Sequence, residues 1–224
     1  MANKELILAI RNLEITFPGR TLFKDVHLDV FKNDFIVITT GVMDGATTFM
    51  KSLLGLVEHA QGEIIFDGDD ILRSGNHKKR LNARKKIGLV YEAHGLISIM
   101  NVYQNIALPL SYHTNLKERQ IKERINKVAK DLQISDLLSL EPNELNDTQT
   151  RIVNLARALV IEPRVLLIDE LEGGMSDQIV DYMIDVIQNY QRQLNFGLIM
   201  TTLDRTIDFA TLHYKIKDNN LVEV

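Results

Sequence analysis

Apolar residues recur along this chain at two spacings, and the change from one to the other marks its elements. LILAIRNLEITF and HLDVF alternate apolar and polar positions around Pro18 and Gly19, as half-buried strands joined by a turn do. FIVITT, from Phe35 to Thr40, is a continuous β-branched run of the sort covered on both faces of a sheet. A loop holding Gly41 and Gly45 follows, then TTFMKSLLGLV at helical spacing, then the strand and turn of GEIIFDGDDI with Gly68 as punctuation. From Asn82 to Val90 a basic stretch feeds another strand, KKIGLVY. The middle third is helical in VYQNIALPL, LKERQIKERINKVAKDLQI and TQTRIVNLARALVI, each with its polar residues gathered on one side. The last third alternates again: VLLIDE, SDQIVDYMIDVIQNYQRQL, FGLIMTT, a helix-like turn, and YKIKDNNLVEV. Strand–helix alternation at both ends predicts an α/β core with a parallel sheet, into which the central helical block is inserted.

Composition narrows the class. At 224 residues the chain is long enough for one large domain with a full core. With 45% apolar and 25% charged residues it reads as an ordinary globular protein. No apolar run approaches the roughly 18–20 residues of a membrane-crossing helix, and charges break up the N-terminus too often for a signal peptide. The absence of cysteine excludes disulfides and thiolate metal sites and fits a cytosolic setting. A net charge of −4 speaks against bulk binding to nucleic acid.

Two segments carry chemistry. FIVITTGVMDGATTFMKSLLGL is a buried strand, a glycine-bearing loop and a helix start, the arrangement in which backbone N–H groups face an anion. A working phosphate loop reads G-x-x-x-x-G-K-[ST]. Here Gly45 is the second glycine and Thr47 the hydroxyl, but Thr40 stands for the first glycine and Ala46 for the lysine. By itself the loop would be rejected as a match. RIVNLARALVIEPRVLLIDE adds an amphipathic helix, a proline turn and an apolar strand ending in Asp169 and Glu170. Carboxylates there face the ligand crevice of an open α/β sheet, where they suit a Mg²⁺-linked acid and a base that positions water.

With both segments in place the chain resembles the ATP-binding-cassette (ABC) ATPase subunits over essentially its full length. Phe17 matches the family's adenine-stacking aromatic, and GEIIFDG matches the strand after its first helix. IGLVYEAHGLISIMNVYQNIALPL matches the glutamine-loop segment, while GLIMTTLDR and YKIKDNNLVEV match the closing elements. Within the family, MNVYQNIALPLSYHTNL together with GEIIFDGDDI looks most like the ATPases of Mla/Mce-type phospholipid transport, with the cell-division ABC ATPases a near second.

The resemblance implies a P-loop NTPase fold of the ABC type in one domain over 1–224. It would have a parallel core sheet, an antiparallel β-subdomain and a helical subdomain at about 93–155. It implies ATP and Mg²⁺ as cofactors, with nucleotide contacts at Phe17, Gly45, Ala46, Thr47, Thr48 and Glu92. Thr47, Glu92 and Asp169 would be Mg²⁺ ligands, and Glu170 would be the base. It implies partners as well: an integral-membrane permease received near MNVYQNIALPL, and a second cassette, either another copy or a paralogue, paired head to tail. The chain would then be a cytoplasmic subunit peripheral on the inner face of the cytoplasmic membrane.

The departures from the family pattern fall on its catalytic positions. Ala46 replaces the lysine and Glu92 the glutamine of the glutamine loop. The L-S-G-G-Q signature reads Leu145-Asn146-Asp147-Thr148-Gln149, Leu171 replaces a proline, and Ser176 the aspartate of the following loop. The switch histidine falls on Leu203, or on Thr202 with a one-residue shift. Ala46 removes a positive charge, while Glu92 and Asp44 each place a negative one beside the phosphates. A unit pair about 4 Å apart is worth ~4 kcal/mol at an effective dielectric of 20 before screening. The expectation is a cassette that binds ATP weakly or not at all and hydrolyses it negligibly, serving as a structural or regulatory subunit. The alternatives are an active motor subunit, and a regulatory cassette that binds nucleotide without turnover. HKKRLNARKK, with six Lys/Arg in ten residues, reads as a solvated surface turn, LKERQIKERINKVAKDL as an exposed, ion-paired helix, and the scattered histidines predict no zinc site.

Overall fold

The computed structural model describes residues 4–41, 43–73, 77–91, 95–203 and 205–224. The N-terminal strands β1 (Leu6–Phe17) and β2 (Arg20–Phe31) form a hairpin across Pro18 and Gly19. With β4 (Ala60–Phe66) and β5 (Asp69–Asp70) they make an antiparallel sheet in the order β2-β1-β4-β5.

The second sheet runs β10-β9-β3-β8-β7-β6 and holds β3 (Phe35–Thr39), β6 (Ile87–Val90), β7 (Val165–Ile168) and β8 (Gly197–Thr202). β9 (Leu212–Lys217) and β10 (Asn220–Glu223) complete it. β3 is parallel to both β8 and β9, and β7 to both β8 and β6; β10 returns antiparallel to β9. All four residues of VLLI in β7 and all six of GLIMTT in β8 are buried, which is why these strands read as unbroken apolar runs.

Two cores flank this sheet. One lies between the antiparallel sheet, helix α1 (Ala46–Ser52) and one face of the parallel strands, and includes Ile10, Phe23, Ile38, Phe49 and Leu167. The other packs the opposite face against α3 (Val102–His113), α4 (Glu118–Asp131), α5 (Asp147–Leu159) and α6 (Asp177–Leu194). The α/β expectation, with its antiparallel layer and inserted helices, therefore holds.

Three local readings change. The helix expected to run through TTFMKSLLGLV stops at Ser52, and Gly55 closes the following turns at φ 62°. The basic segment taken for a solvated turn begins with a helix, α2 (His77–Arg84). It is tied down: Arg84 donates to the Leu54 and Gly55 carbonyls at 2.7 and 2.9 Å, Ala83 is buried, and Lys79 and Lys86 pair with Asp69 and Asp67. α4 has the expected i,i+4 pairs Arg119–Glu123 and Lys127–Asp131, yet buries Ile125, Val128 and Ala129 along one stripe. Among the described residues, no helix is long and apolar enough to cross a membrane.

Candidate nucleotide site

The strand order brings the carboxyl ends of β3, β8 and β7 side by side, and the site forms in the crevice outside them. Thr40 continues β3 for one residue, its N–H donating to the Thr202 carbonyl at 2.9 Å. The chain then turns through the loop to Gly45, which caps α1 at φ 89° and contributes no side-chain cap. A side chain would be strained at that φ, so glycine is the residue that lets the loop enter the helix here.

A cleft of about 460 Å³ opens at this point. Thr40, Gly41, Asp44, Gly45, Ala46, Thr47 and Thr48 line it from the loop side, and Asp169, Glu170, Thr201 and Leu203 from the two neighbouring strands. Five of the expected nucleotide or metal contacts, together with Glu170, therefore share one cavity. Phe17 does not line it: its ring packs edge-on to His59, with centroids 5.0 Å apart. Glu92 lies outside the described residues.

Asp169 is 3% exposed at the end of β7. Its Oδ1 accepts the Thr201 hydroxyl at 3.1 Å, while Oδ2 is buried with no hydrogen-bond partner. An orphaned carboxylate oxygen is an expensive thing to bury, typically about 1–3 kcal/mol or more for a charged group, and a cation is the natural partner for it. The Asp169 charge and burial together push the Tyr91 hydroxyl above the ordinary tyrosine range, with burial the larger cause.

Glu170 follows in a left-handed conformation at φ 49°, its N–H donating to Thr201 Oγ1 at 2.9 Å and its carbonyl accepting Arg151 Nη1 at 2.9 Å. A proline at 171 would press residue 170 toward an extended backbone. Leu171 removes that constraint, and the Arg151 guanidinium from the first turns of α5 takes over the hold on Glu170.

Other positions expected to take part in catalysis make contacts of their own. Thr202, fully buried, donates its hydroxyl to Glu172 Oε1 and accepts the Arg205 N–H at 3.0 Å. Leu203, 41% exposed, presents an apolar side chain to the cleft. At the signature segment, Asn146 caps α5 by accepting Gln149 N–H at 2.8 Å, and the Gln149 side chain accepts Asn146 N–H at 3.0 Å. Asp147, exposed in the first turn, is the acid that favours a helix start and repels an approaching phosphate. Asn146→Ala is expected to cost about 1 kcal/mol, a drop in melting temperature of roughly 2–4 °C for a chain of this size. A thermal melt unchanged within error would show that the cap is not supporting α5.

The donor set does not suit a triphosphate. Among the described residues, three carboxylates, Asp44, Asp169 and Glu170, line the cleft against one guanidinium, Arg20, which stands at the rim and donates to the Met43 carbonyl at 2.7 Å. It suits a cation better, through Thr47 and the free Oδ2 of Asp169. Among the described residues, no group of three or more His, Asp or Glu is arranged to hold a metal ion. Sequence reasoning missed Arg20, Thr201 and Arg151. Arg20 had one available signal, its position three residues beyond Phe17 at the turn into β2.

Comparison with known proteins agrees with this geometry. Residues 23–172 match the ABC transporter family. The methionine import ATP-binding protein MetN of Carboxydothermus hydrogenoformans is 30% identical over 220 residues, covering 96% of this chain and 65% of that protein. The intermembrane phospholipid transport system ATP-binding protein MlaF of Haemophilus influenzae is 26% identical, covering 96% of this chain and 82% of its own. The probable ribonucleotide transport ATP-binding protein mkl of Mycobacterium leprae is 29% identical, covering 87% of this chain and 56% of that protein. The chain thus spans about two thirds or less of the MetN and mkl lengths. Among solved structures, the dimeric ATP-binding cassette MJ0796 in its ADP- and Pi-bound post-hydrolysis state superposes with a TM-score of 0.88 at 20% identity, covering 97% of this chain and 98% of its own. CbiO1 of Clostridium perfringens gives 0.84 at 24%, covering 98% and 88%. By fold, by the segment matched and by the place of Asp169 and Glu170 at the strand ends, the chain belongs to the ATP-binding subunits of the ABC transporter family.

Proposed function

We propose that this chain is the cassette subunit of a membrane transport complex that moves phospholipid, and that it acts there as a structural or regulatory subunit with its own ATP turnover impaired. The observation that carries the impairment is the phosphate loop. Ala46 stands at the helix start where a cation is needed, and among the described residues the cleft around it holds three carboxylates and a single rim guanidinium. Without a lysine at the loop or glycines at the signature, charge developing on a transferring phosphoryl group has little to stabilise it. Phe17, Gly45, Ala46, Thr47, Thr48 and Glu92 would line a weak nucleotide site, with Mg²⁺ at Thr47, Glu92 and Asp169. Glu170 would occupy the base position without effective turnover.

The phospholipid assignment draws on the likeness to MlaF, which extends over most of both chains. The permease would dock at a groove of about 340 Å³ between β6 and α3, lined by Leu89, Pro109, Tyr112 and His113. Tyr112 is 76% exposed there, and Ile99, in the segment leading into α3, is 88% exposed. A second cassette, another copy or a paralogue, would complete the assembly, on the inner face of the cytoplasmic membrane.

One observation favours an active motor instead: Asp169 keeps a buried, unpartnered oxygen in a cleft shared with Thr47 and Glu170. Calorimetric titration with MgATP to millimolar concentration, beside a turnover assay on the chain and on Glu170→Gln, separates the two. The expected result is no saturable heat and no turnover above background in either protein. Micromolar binding, or turnover that Glu170→Gln abolishes, would overturn the impaired reading and favour the motor.

A further inference from the structure

The phosphate loop already holds an anion of its own. Asp44 precedes Gly45, and its Oδ2 accepts the Gly41 N–H across the loop at 2.5 Å. Both residues line the cleft that contains Thr47, Asp169 and Glu170. A hydrogen bond from a backbone amide to a carboxylate belongs to the shorter, charge-assisted class, roughly twice as strong as a neutral one. The loop's crest is fixed independently. Met43 takes a left-handed φ of 64°, and Arg20, reaching over from the start of β2, donates to its carbonyl at 2.7 Å. A guanidinium therefore holds the Met43 carbonyl, and a carboxylate ties Asp44 to Gly41.

We infer that Asp44 is the residue that excludes polyphosphate from this cleft: its carboxylate takes the hydrogen-bonding place at the loop that an incoming phosphate oxygen needs. This rests on the reading above that the native chain does not bind nucleotide, and it adds the reason. An anion approaching the loop meets a fixed negative charge among the amides meant to receive it, and must break a charge-assisted bond to reach them. Loss of the lysine is then only half of the defect. A lysine restored at position 46 has Asp44 two residues away on the same loop as an internal partner, so it neutralises Asp44 before it attracts a ligand.

The test compares the native chain with Ala46→Lys, Asp44→Ala/Ala46→Lys and Asp44→Asn/Ala46→Lys at one fixed salt concentration. MgATP and magnesium tripolyphosphate are the titrants. Hydrogen exchange at the Gly41 amide, followed by NMR in the same proteins, supplies a readout that a change of overall charge would not move. The double variants are expected to bind both titrants about tenfold or more tightly than Ala46→Lys alone, the scale of one removed charge at close range after screening. The Gly41 amide is expected to exchange faster in the alanine double variant than in Ala46→Lys. The asparagine variant keeps a neutral acceptor and is expected to fall between the two in both measurements.

If neither double variant binds more tightly than Ala46→Lys, or if Gly41 exchange is the same with and without Asp44, the inference is overturned. Saturable MgATP binding by the native chain is a different failure: it removes the impaired reading on which the inference rests.

Discussion

Phe49→Ala is expected to destabilise the fold by about 3–5 kcal/mol, enough to lower the melting temperature by roughly 6–20 °C. Phe49 has no exposed surface, and its ring packs against Phe23 with centroids 5.3 Å apart and planes tilted by 40°. It is the residue through which α1 is anchored to the antiparallel sheet, and its N–H makes the helix's first bond, to the Gly45 carbonyl at 2.8 Å. Truncating it leaves a cavity whose walls are held by two sheets and can collapse only in part. The effect should reach the loop, because the Phe23 ring lies 3.3 Å from where a Gly45 Cβ would stand. Urea unfolding of Phe49→Ala and Phe49→Leu gives the comparison, and the leucine variant should recover most of the loss. A loss below about 1 kcal/mol for alanine would mean that α1 is held chiefly by something other than this aromatic pair.

Gly62→Ala is the second large effect, and its cause is backbone rather than cavity. Gly62 lies in β4 at φ 104°, beside the interruption where the β1–β4 register shifts between Arg11 and Glu14. A methyl group there would stand 2.4 Å from the Asn12 carbonyl oxygen and 2.7 Å from that of Arg11. Neither oxygen can rotate away, since both belong to the strand itself. Strain at positive φ and a steric overlap of this kind add to about 3 kcal/mol or more, a drop of at least roughly 6 °C. Because the overlap acts on the antiparallel sheet, the cost should appear as global destabilisation with the far-UV spectrum of the surviving native state unchanged. A melting temperature within about 2 °C of the native chain would place the carbonyls of Arg11 and Asn12 elsewhere.

Much of this architecture was legible because strands covered on both faces leave a plain trace. FIVIT and VLLI became β3 and β7 almost as read, and the alternation of LILAIRNLEITF became an edge-to-edge hairpin with HLDVF. What failed had a different physical basis. HKKRLNAR offers only Leu81 and Ala83 as apolar signal, and α2 is instead fastened by Arg84 to carbonyls thirty and twenty-nine positions earlier in the chain, a contact with no local pattern.

The site divides in the same way. Thr47, Asp169 and Glu170 lie at the two ends of recognisable strand–loop segments, so reading them needed only local order. Thr201 serves Asp169 and Glu170 only because β8 is inserted between β3 and β7, and Arg151 reaches Glu170 only because the fold brings the first turns of α5 to the residue after β7; neither neighbour can be seen in a linear string. Phe17 stands apart from these residues, its ring edge-on to His59 in the antiparallel layer, and only the family pattern marked its position.

The helices between β6 and β7 have no separate interior. Ile106, Leu110, Ile125 and Val128 belong to the same buried cluster as Val90, Ile168 and Met200 of the parallel strands. Such a cluster opens as one cooperative unit, so an amide in α3 and an amide in β7 should exchange with solvent through a common opening and with a common free energy. A macromolecule that grips the outer surface of α3 would then raise protection all the way to the strand that ends in Asp169, and to β3 as well, whose Phe35 and Val37 belong to the same cluster.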